Sequence, residues 1–394
     1  MSMPNPKKTA VRVQKVRLYP DAEMNQVLDE LCDYRRYCWN EALALWNDMY
    51  EQSLILDDRK SRPSEYKVRN ELVAEKQDWQ YALSARVLQL SVSDLNKAFR
   101  NFFDKAQTDW GKPKFKSKKA PRQGFKTDRA RIVNGKLLLD RPHESRHKEW
   151  NAISFKGAKS LEGDLKVVSV YRENGRYYAS LPFEVDIRKK EKTGRCDAVD
   201  VNVGHLNHAG GVVSTIPKRL EMLYERIRHY QNVLARKRTV NGKKAVRSRN
   251  YAKTRAKLQR DYARAANIQH DLMQKFTTEL VNRNDAVVIE DLNVKKMQMI
   301  HVASKGMHRS MFGYFRQVLA YKCEWYGRRL VIADKFYPST QRCSKCGHIK
   351  QKDERITLEG NSKHKTRHNE YICYECVAVM DRDENAVMNL LALA

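Results

Sequence analysis

The chain has 394 residues, too many for one ordinary hydrophobic core, so two or three domains are expected. Its 76 lysines and arginines exceed its 47 acids to give a net charge of +29, with 41% hydrophobic and 31% charged residues. That balance excludes a small single-core protein and predicts a nucleic-acid partner held through its phosphates, the alternative being a merely solvated basic surface.

The start, MSMPNPKKTAVRVQ, has no apolar run of the kind a secretory signal needs. No stretch approaches the roughly 18 apolar residues of a membrane helix. A reducing cytoplasm is therefore expected, where paired CxxC motifs belong more often to metal sites than to disulfides. Of the eight cysteines, Cys32, Cys38, Cys196 and Cys323 are scattered and read as small buried apolar residues.

In chain order, residues 8–19 alternate apolar and basic as a half-buried strand does. Pro20-Asp21 opens a helix to about Leu54, with Met24, Leu28 and Leu31 on one face and Trp39 and Trp46 further along. A polar stretch with a short helix follows. A second helix over about 84–105 places Leu88, Val92, Leu95, Phe99 and Phe102 on a core stripe and exposes Gln89, Lys97 and Arg100. Residues 111–132 then carry Lys112, Lys114, Lys116, Lys118, Lys119, Arg122 and Lys126 interleaved with Phe115 and Phe125, and Pro113 and Pro121 forbid a continuous helix. Aromatics among cations favour contact with a nucleic-acid backbone and bases, against a plain solvated loop. Strands are expected at 136–140, 152–155 and 166–185, the last pair joined at Glu173-Asn174-Gly175.

Beyond a charged linker at 188–194, CDAVDVNVGHLNHAGGVVSTI reads as a strand, a turn and a second strand. Pro217 opens a helix carrying Leu220, Leu223, Ile227 and Leu234. Residues 236–260 are basic without an acid, and Arg236, Lys237, Arg238, Arg247 and Arg249 are candidate phosphate contacts. A helix with Ile268, Leu272, Phe276 and Leu280, a buried strand at 285–292, a helix at about 308–328 and a strand at 329–337 complete this half.

Among 47 acids the informative ones interrupt or end apolar strands, where an unpaired charge is costly. Asp200 lies inside AVDVNV, Glu290 ends AVVIE, and Asp383 begins the last helix. Converging on one sheet edge, they would bind Mg²⁺ through hard oxygen ligands, and two ions ~3.5–4 Å apart support phosphodiester hydrolysis. The alternatives are that Asp381 and Asp383 are helix N-caps and that Glu290 pairs with a surface arginine.

Cys343, Cys346, Cys373 and Cys376 form two CxxC pairs 26 residues apart, the spacing of a tetrahedral zinc site. Four thiolates fill the coordination shell, so one structural Zn²⁺ is expected; ligation by His348, His364 or His368 in place of a cysteine stays open. The basic loop between the pairs, with Lys350, Lys352, Arg355, Lys363, Lys365 and Arg367, is either a nucleic-acid contact or solvated.

AVDVNVGHLN, a long basic helical segment, VVIEDLNVKKM and YPSTQRCSKCG…CYEC…MDRDENAVMNL, in this order, resemble the TnpB family of transposon-encoded RNA-guided nucleases, relatives of compact type V CRISPR effectors. The resemblance extends to VRLYPDAEMNQVLDELCDYRRYCWNEAL and to LQLSVSDLNKAFRNFF followed by GKPKFKSKK, and so covers most of the chain. It implies an α+β multidomain fold. A small β-barrel-like wedge domain (1–20 and 111–190) would hold an inserted helical recognition domain (21–110). A RuvC-like, ribonuclease-H-like α/β domain (195–337 and 379–394) would hold an inserted zinc ribbon (338–378).

The resemblance further implies an RNA-guided, Mg²⁺-dependent DNA endonuclease that pairs a guide RNA with target double-stranded DNA beside a short flanking motif, with Asp200, Glu290 and Asp383 as the catalytic acids. Asp381 and Asp291 would be neighbours rather than ligands. Rival readings are a nuclease-silent RNA-guided regulator of transposition and a protein-only RuvC-like resolvase or transposase. A monomer or homodimer near the nucleoid, with no membrane partner, is expected. Asn202 and Val377 stand where the family usually has glycine, and the chain stops at Ala394 where many relatives carry a longer tail. Asn202 is expected to take the positive φ of the turn.

Overall fold

A computed structural model describes residues 9–106, 110–158, 160–187, 189–241, 248–292, 310–357 and 359–394, the side chains of 238–241 excepted. The chain divides into two compact units, Met1–Asp186 and Ile187–Ala394.

In the first unit, β1 (Thr9–Tyr19) alternates exposed and inward residues until Val16 and Leu18 are fully covered. It pairs antiparallel with β8 (Arg176–Asp186) from Thr9↔Asp186 to Arg17↔Tyr178, and on its other edge with β5 (Ile153–Lys156). β7 (Val168–Glu173) turns into β8 through Asn174 and Gly175, both at positive φ, as the sequence predicts. Asn134-Gly135 makes the same kind of turn between β3 (Arg131–Val133) and β4 (Lys136–Leu138), and only the second of those strands was expected. With β2 (Arg122–Thr127) and the short β6 (Asp164–Leu165) the sheet has eight strands, ordered β2-β7-β8-β1-β5-β4-β3 with β6 on β8. It is barrel-like but open, because β2 and β3 end the path unpaired with each other.

The α-helices described in this unit are α1 (Ala22–Ile55), α2 (Glu65–Ala74), α3 (Asp78–Tyr81) and α4 (Ala85–Phe103); α1 and α4 pack on the sheet at β2, and α2 packs on both of them. Asp21 caps α1 by accepting from the Met24 N–H at 2.8 Å. The expected stripes are buried: Met24, Leu28, Leu31, Trp39 and Trp46 on α1, and Leu88, Val92, Leu95 and Phe99 on α4. Helix and strand side chains join one continuous core. Phe125 belongs to that core, so of the two aromatics in the basic stretch only Phe115 is presented outward.

The second unit is built on a five-stranded sheet ordered β11-β10-β9-β12-β13. β9 (Cys196–Asn202), β10 (His205–His208) and β11 (Gly211–Ser214) are antiparallel neighbours; β12 (Ala286–Glu290) lies parallel to both β9 and β13 (Arg329–Ala333). The first segment therefore makes three strands where two were expected, because Ala209-Gly210 adds a second reversal. β13 ends at Ala333, short of the expected Tyr337, as Asp334 starts a turn that closes on Tyr337.

Helices α5 (Lys218–Asn241) and α6 (Arg249–Arg283) pack through Leu220, Leu223, Ile227 and Ala265, and the Arg226 guanidinium grips Asp261 at 2.6 and 2.7 Å. α7 (Phe312–Tyr326) and α8 (Arg382–Leu391) complete the unit, and a small ribbon with β14 (Glu370–Ile372) and β15 (Val379–Asp381) sits between β13 and α8. Cys32, Cys38 and Cys323 are buried as expected; Cys196 is exposed, since it is the first residue of β9. Among the described residues no helix is long and apolar enough to cross a membrane.

Candidate functional site

Strand alternation sorts the second unit's sheet into two faces. Val199, Leu206, Val287 and Ile289 pack against Met273 and Phe276 of α6 and Phe315 and Leu319 of α7. Ala198 and Val288 face the other way, onto Val387 and Leu390 of α8. Asp200 is two residues beyond Ala198, and Glu290 two beyond Val288, so both acids belong to the α8 face. The parallel pair Ile289↔Val199 puts Glu290 beside Asp200 one step further along. Across the antiparallel seam Asp200 stands opposite Asn207, and Asn202 opposite His205. Asp383 arrives on the first turn of α8. Three acids scattered in sequence are thus brought together.

Asp200 is only 4% exposed. Burial, and then the charges of Glu290 and Asp383, push its carboxyl up to about 7, while the Asn202 amide and Arg382 pull it down. Burial also raises Glu290, against the Ser339 hydroxyl that donates to its Oε1. Asn202 Nδ2 donates to Asp200 Oδ2 at 2.8 Å. His205 Nε2 lies 3.3 Å from Asp383 Oδ2, and Arg382 Nη2 lies 3.4 Å from Oδ1.

The N-cap alternative holds for Asp381, which accepts from the N–H groups of Asp383 and Glu384, and not for Asp383. Asp291 pairs with Arg316 at 2.6 Å. Asn202 corrects an expectation: it is a strand residue without positive φ, and Gly204, at φ +96°, takes the turn instead. Asn202 is therefore free to orient Asp200.

A buried carboxylate with two part-buried ones beside it, and an arginine at the edge, is a donor set that fits hard divalent cations. Its oxygens do not close together as the cysteine sulfurs do. Among the described residues, Cys343, Cys346, Cys373 and Cys376 are the one cluster whose ligand atoms all lie within 4.8 Å of one another. Cys343 and Cys376 sulfurs are 3.7 Å apart, and those of Cys346 and Cys373 3.5 Å. Four thiolates on a tetrahedral zinc ion at ~2.3 Å would stand ~3.8 Å apart, so the set fits. Burial opposes ionisation of Cys343, yet the N–H groups of Cys346 and Lys345 bring its thiol down to about 7.

The histidines are otherwise engaged: His348 bonds Glu354 at 3.0 Å, His364 packs on Tyr374, and His368 is exposed. Lys350 departs from the basic-loop expectation. It is 2% exposed, with its ammonium 3.3 Å from the Tyr374 ring centre, and burial lowers its pKa.

The ribbon's root is bolted to α8. Asn385 donates to the Arg342 carbonyl at 2.7 Å and accepts from the Ser344 N–H at 2.9 Å. Asn389 donates to the carbonyls of Ser339 and Arg342 at 2.8 and 2.6 Å. Ser339, which holds Glu290, is part of this root.

Val377 follows the last cysteine at φ +56°, the position matching Gly347 (φ +82°) in the first knuckle. A β-branched residue there costs about 1–2 kcal/mol, and glycine returns part of that in chain entropy. Val377→Gly is expected to stabilise the ribbon by a net ~1 kcal/mol, read as a higher melting temperature in calorimetry; an unchanged or lower value would count against strain at this position.

The predicted phosphate contacts divide. Lys112, Lys114 and Lys118 are exposed, although Lys118 reaches Asp33 at 2.9 Å. Lys116 is withdrawn: its ammonium lies 3.6 Å from the Trp39 ring centre and burial lowers its pKa to about 7. Asn40 and Trp39 bond the backbone of residues 114–116 and hold the stretch on α1. Arg236 and Arg249 are exposed, whereas Lys237 is held by the Asn250 carbonyl and Thr254 at 3.3 and 3.1 Å. Arg247 and the Arg238 side chain lie outside the described residues.

Sequence reasoning did not nominate Ser339, His205, Asn207 or Arg382. His205 and Asn207 had a signal, since alternation from Asp200 across the turn puts them on the acid face. Ser339 had none.

Sheet order, the acid face and the inserted four-cysteine ribbon define the second unit as a RuvC-like, ribonuclease-H-like α/β domain. Family models match three stretches of the chain. Residues 180–301 match a family described as a probable transposase, residues 312–390 the TNB domain of Cas12f1-like proteins, and residues 12–54 a helix-turn-helix domain. The last region here forms β1 and the single long helix α1.

A Streptomyces pristinaespiralis protein named as a candidate RNA-guided DNA endonuclease is 30% identical over 390 residues, covering 97% of this chain and 89% of its own. An Escherichia coli K12 protein of the same description, InsQ, is 26% identical over 96% of this chain and 91% of its own. A mimivirus TnpB-like protein, L79, is 30% identical over 43% of this chain and 30% of its own. A cryo-EM structure of a Cas12f1–sgRNA–target DNA complex aligns with 97% of this chain and 98% of that one, at TM-score 0.48 and 14% identity. The chain belongs to the TnpB family.

Proposed function

We propose that this protein is an RNA-guided DNA endonuclease whose RuvC-like unit cuts DNA with Asp200, Glu290 and Asp383. The observation that carries the reading is the acid face under α8, where buried Asp200 is gathered with part-buried Glu290 and Asp383. Its support is the naming of full-length relatives as candidate RNA-guided DNA endonucleases.

In this reading the three carboxylates hold Mg²⁺, which when bound lowers the pKa of water and neutralises the leaving oxygen. The chain's own residues do the positioning. Asn202 fixes one oxygen of Asp200. Ser339 fixes Glu290, and His205 and Arg382 hold the two oxygens of Asp383. Arg382 also balances charge before cation and phosphate arrive. Cys343, Cys346, Cys373 and Cys376 hold one structural Zn²⁺. Lys112, Lys114, Lys118, Arg236, Arg238, Arg247 and Arg249 serve RNA and DNA phosphates, while Lys116 and Lys237 serve the fold.

The test is to purify the protein, sequence its bound RNA, and supply that RNA with its guide segment rewritten. Cutting is expected to move to the new matching DNA. Cutting that stays put, or that proceeds at full rate without RNA, would sink the guided reading in favour of a protein-only resolvase or transposase.

A further inference from the structure

Asn207 is 5% exposed, and its side-chain oxygen is fully covered with no hydrogen-bond partner. A buried acceptor left alone is uncommon and calls for a physical reason. This one stands directly opposite Asp200 in the β9–β10 pair. Side chains facing each other across an antiparallel seam point to the same face with Cβ atoms about 4.5–5.5 Å apart. Asn207 also lines a cavity of about 620 Å³ shared with His205, Asp381, Asp383 and Glu384. Asn207 therefore faces two of the acids: Asp200 across the strand pair and Asp383 across the cavity.

Among the described residues none donates to this acceptor. On the same face lie apolar side chains (Ala198, Val288, Val387 and Leu390), the acids, and two polar side chains engaged elsewhere, Asn202 with Asp200 and His205 with Asp383. Carboxylates cannot donate to it when ionised. A hard divalent cation takes six oxygens, amide carbonyls included, and a neutral oxygen adds coordination without adding repulsion between the acids. An isosteric leucine would satisfy burial better, so the amide is explained by what it faces.

We propose that the Asn207 side-chain carbonyl is a further oxygen ligand of the divalent cation held between Asp200 and Asp383. The inference rests on the reading of those acids as cation ligands. It makes the site four side chains from four elements, β9, β10, β12 and α8. It also gives β10, which carries no acid, a direct part in the site.

The experiment is Mn²⁺ titration of the full-length, zinc-loaded protein stripped of nucleic acid, followed by electron paramagnetic resonance, with melting temperatures recorded in parallel. Asn207→Leu is expected to weaken Mn²⁺ at this site by about 10- to 100-fold without lowering the melting temperature of the metal-free protein, because it removes an orphaned acceptor. Asn207→Asp is expected to bind Mn²⁺ at least as tightly as the parent protein. In an Asp200→Asn background, Asn207→Leu should have no further effect.

If Asp200→Asn loses Mn²⁺ while Asn207→Leu binds it within twofold of the parent protein, Asn207 is no ligand and the proposal falls alone. If Asp200→Asn also binds normally, the reading of the acids falls with it. Should Asn207→Leu fail to fold, Asn207→Ser, whose hydroxyl is too short to reach the ion, is put to the same titration and judged by the same twofold limit.

Discussion

Asp200→Asn is expected to abolish DNA cutting, lowering its rate by at least about a thousandfold, some 4 kcal/mol of transition-state stabilisation, while RNA and target DNA still bind. The amide keeps the shape of the side chain and loses the charge. It also makes the metal-free protein more stable at neutral pH, and this second effect separates a functional acid from a structural one. Burial and the neighbouring charges of Glu290 and Asp383 raise Asp200 to about 7 in the folded chain, against ~3.9 when unfolded. Folding therefore favours the protonated acid. Its contribution is fully present below about pH 4 and is lost as pH rises through about 7.

Above that pH, metal-free parent protein should be less stable than Asp200→Asn by a few kcal/mol. The difference should shrink toward zero below pH 4 to 5. Denaturant titrations of both proteins in chelator across pH 4–8 measure it. A flat difference, or cutting by the variant within about tenfold of the parent rate, would remove Asp200 from the site.

Removing zinc from the four-cysteine site is expected to stop cutting without touching an acid. Binding of structural zinc by cysteine sites is worth about 10–16 kcal/mol, far more than the ribbon's small core of Ile356 and Tyr371 supplies. With a strong chelator, or in Cys343→Ser, the ribbon is expected to unfold. Its root then releases the bonds from Asn385 and Asn389 and the Ser339 hydroxyl on Glu290. One acid loses its orienting partner, and the helix that carries another loses its anchorage. The expected readout is new protease cleavage within residues 338–378, loss of at least about a hundredfold in cutting, and unchanged co-purified RNA. Full cutting by chelated protein with a digested ribbon would show that the ribbon is dispensable to the site.

Much of this was legible because the signals were local. Alternation in β1, the Asn174-Gly175 turn and the stripes of α1 and α4 are short-range patterns, and the structure keeps them. Asp200 and Glu290 stood out as charges in otherwise apolar strands. Other features depended on neighbours far away in sequence. Lys116 looked like a phosphate contact, and Lys350 like a phosphate contact or a solvated residue, because charge is read as exposure; each instead lies on an aromatic ring, Trp39 and Tyr374. Ser339 gains its role only through the turn after β13. Asn202 was read as a backbone residue, and its side chain turned out to matter more. Asn207 could have been found by counting alternation through a turn, had the two-strand reading not hidden β10.

The order of the acids along the chain also has a consequence for synthesis. Asp200, Glu290 and Asp383 are each separated by on the order of ninety residues, and the ribbon lies before the last. At about 5–20 residues per second, a ribosome needs several seconds between the second acid and the third. A nascent chain can therefore expose its basic segments, and begin to gather RNA, well before it can cut anything. An abortive product that stops inside the ribbon carries two acids and no Asp383. In such a layout the last instruction translated is the one that arms the enzyme.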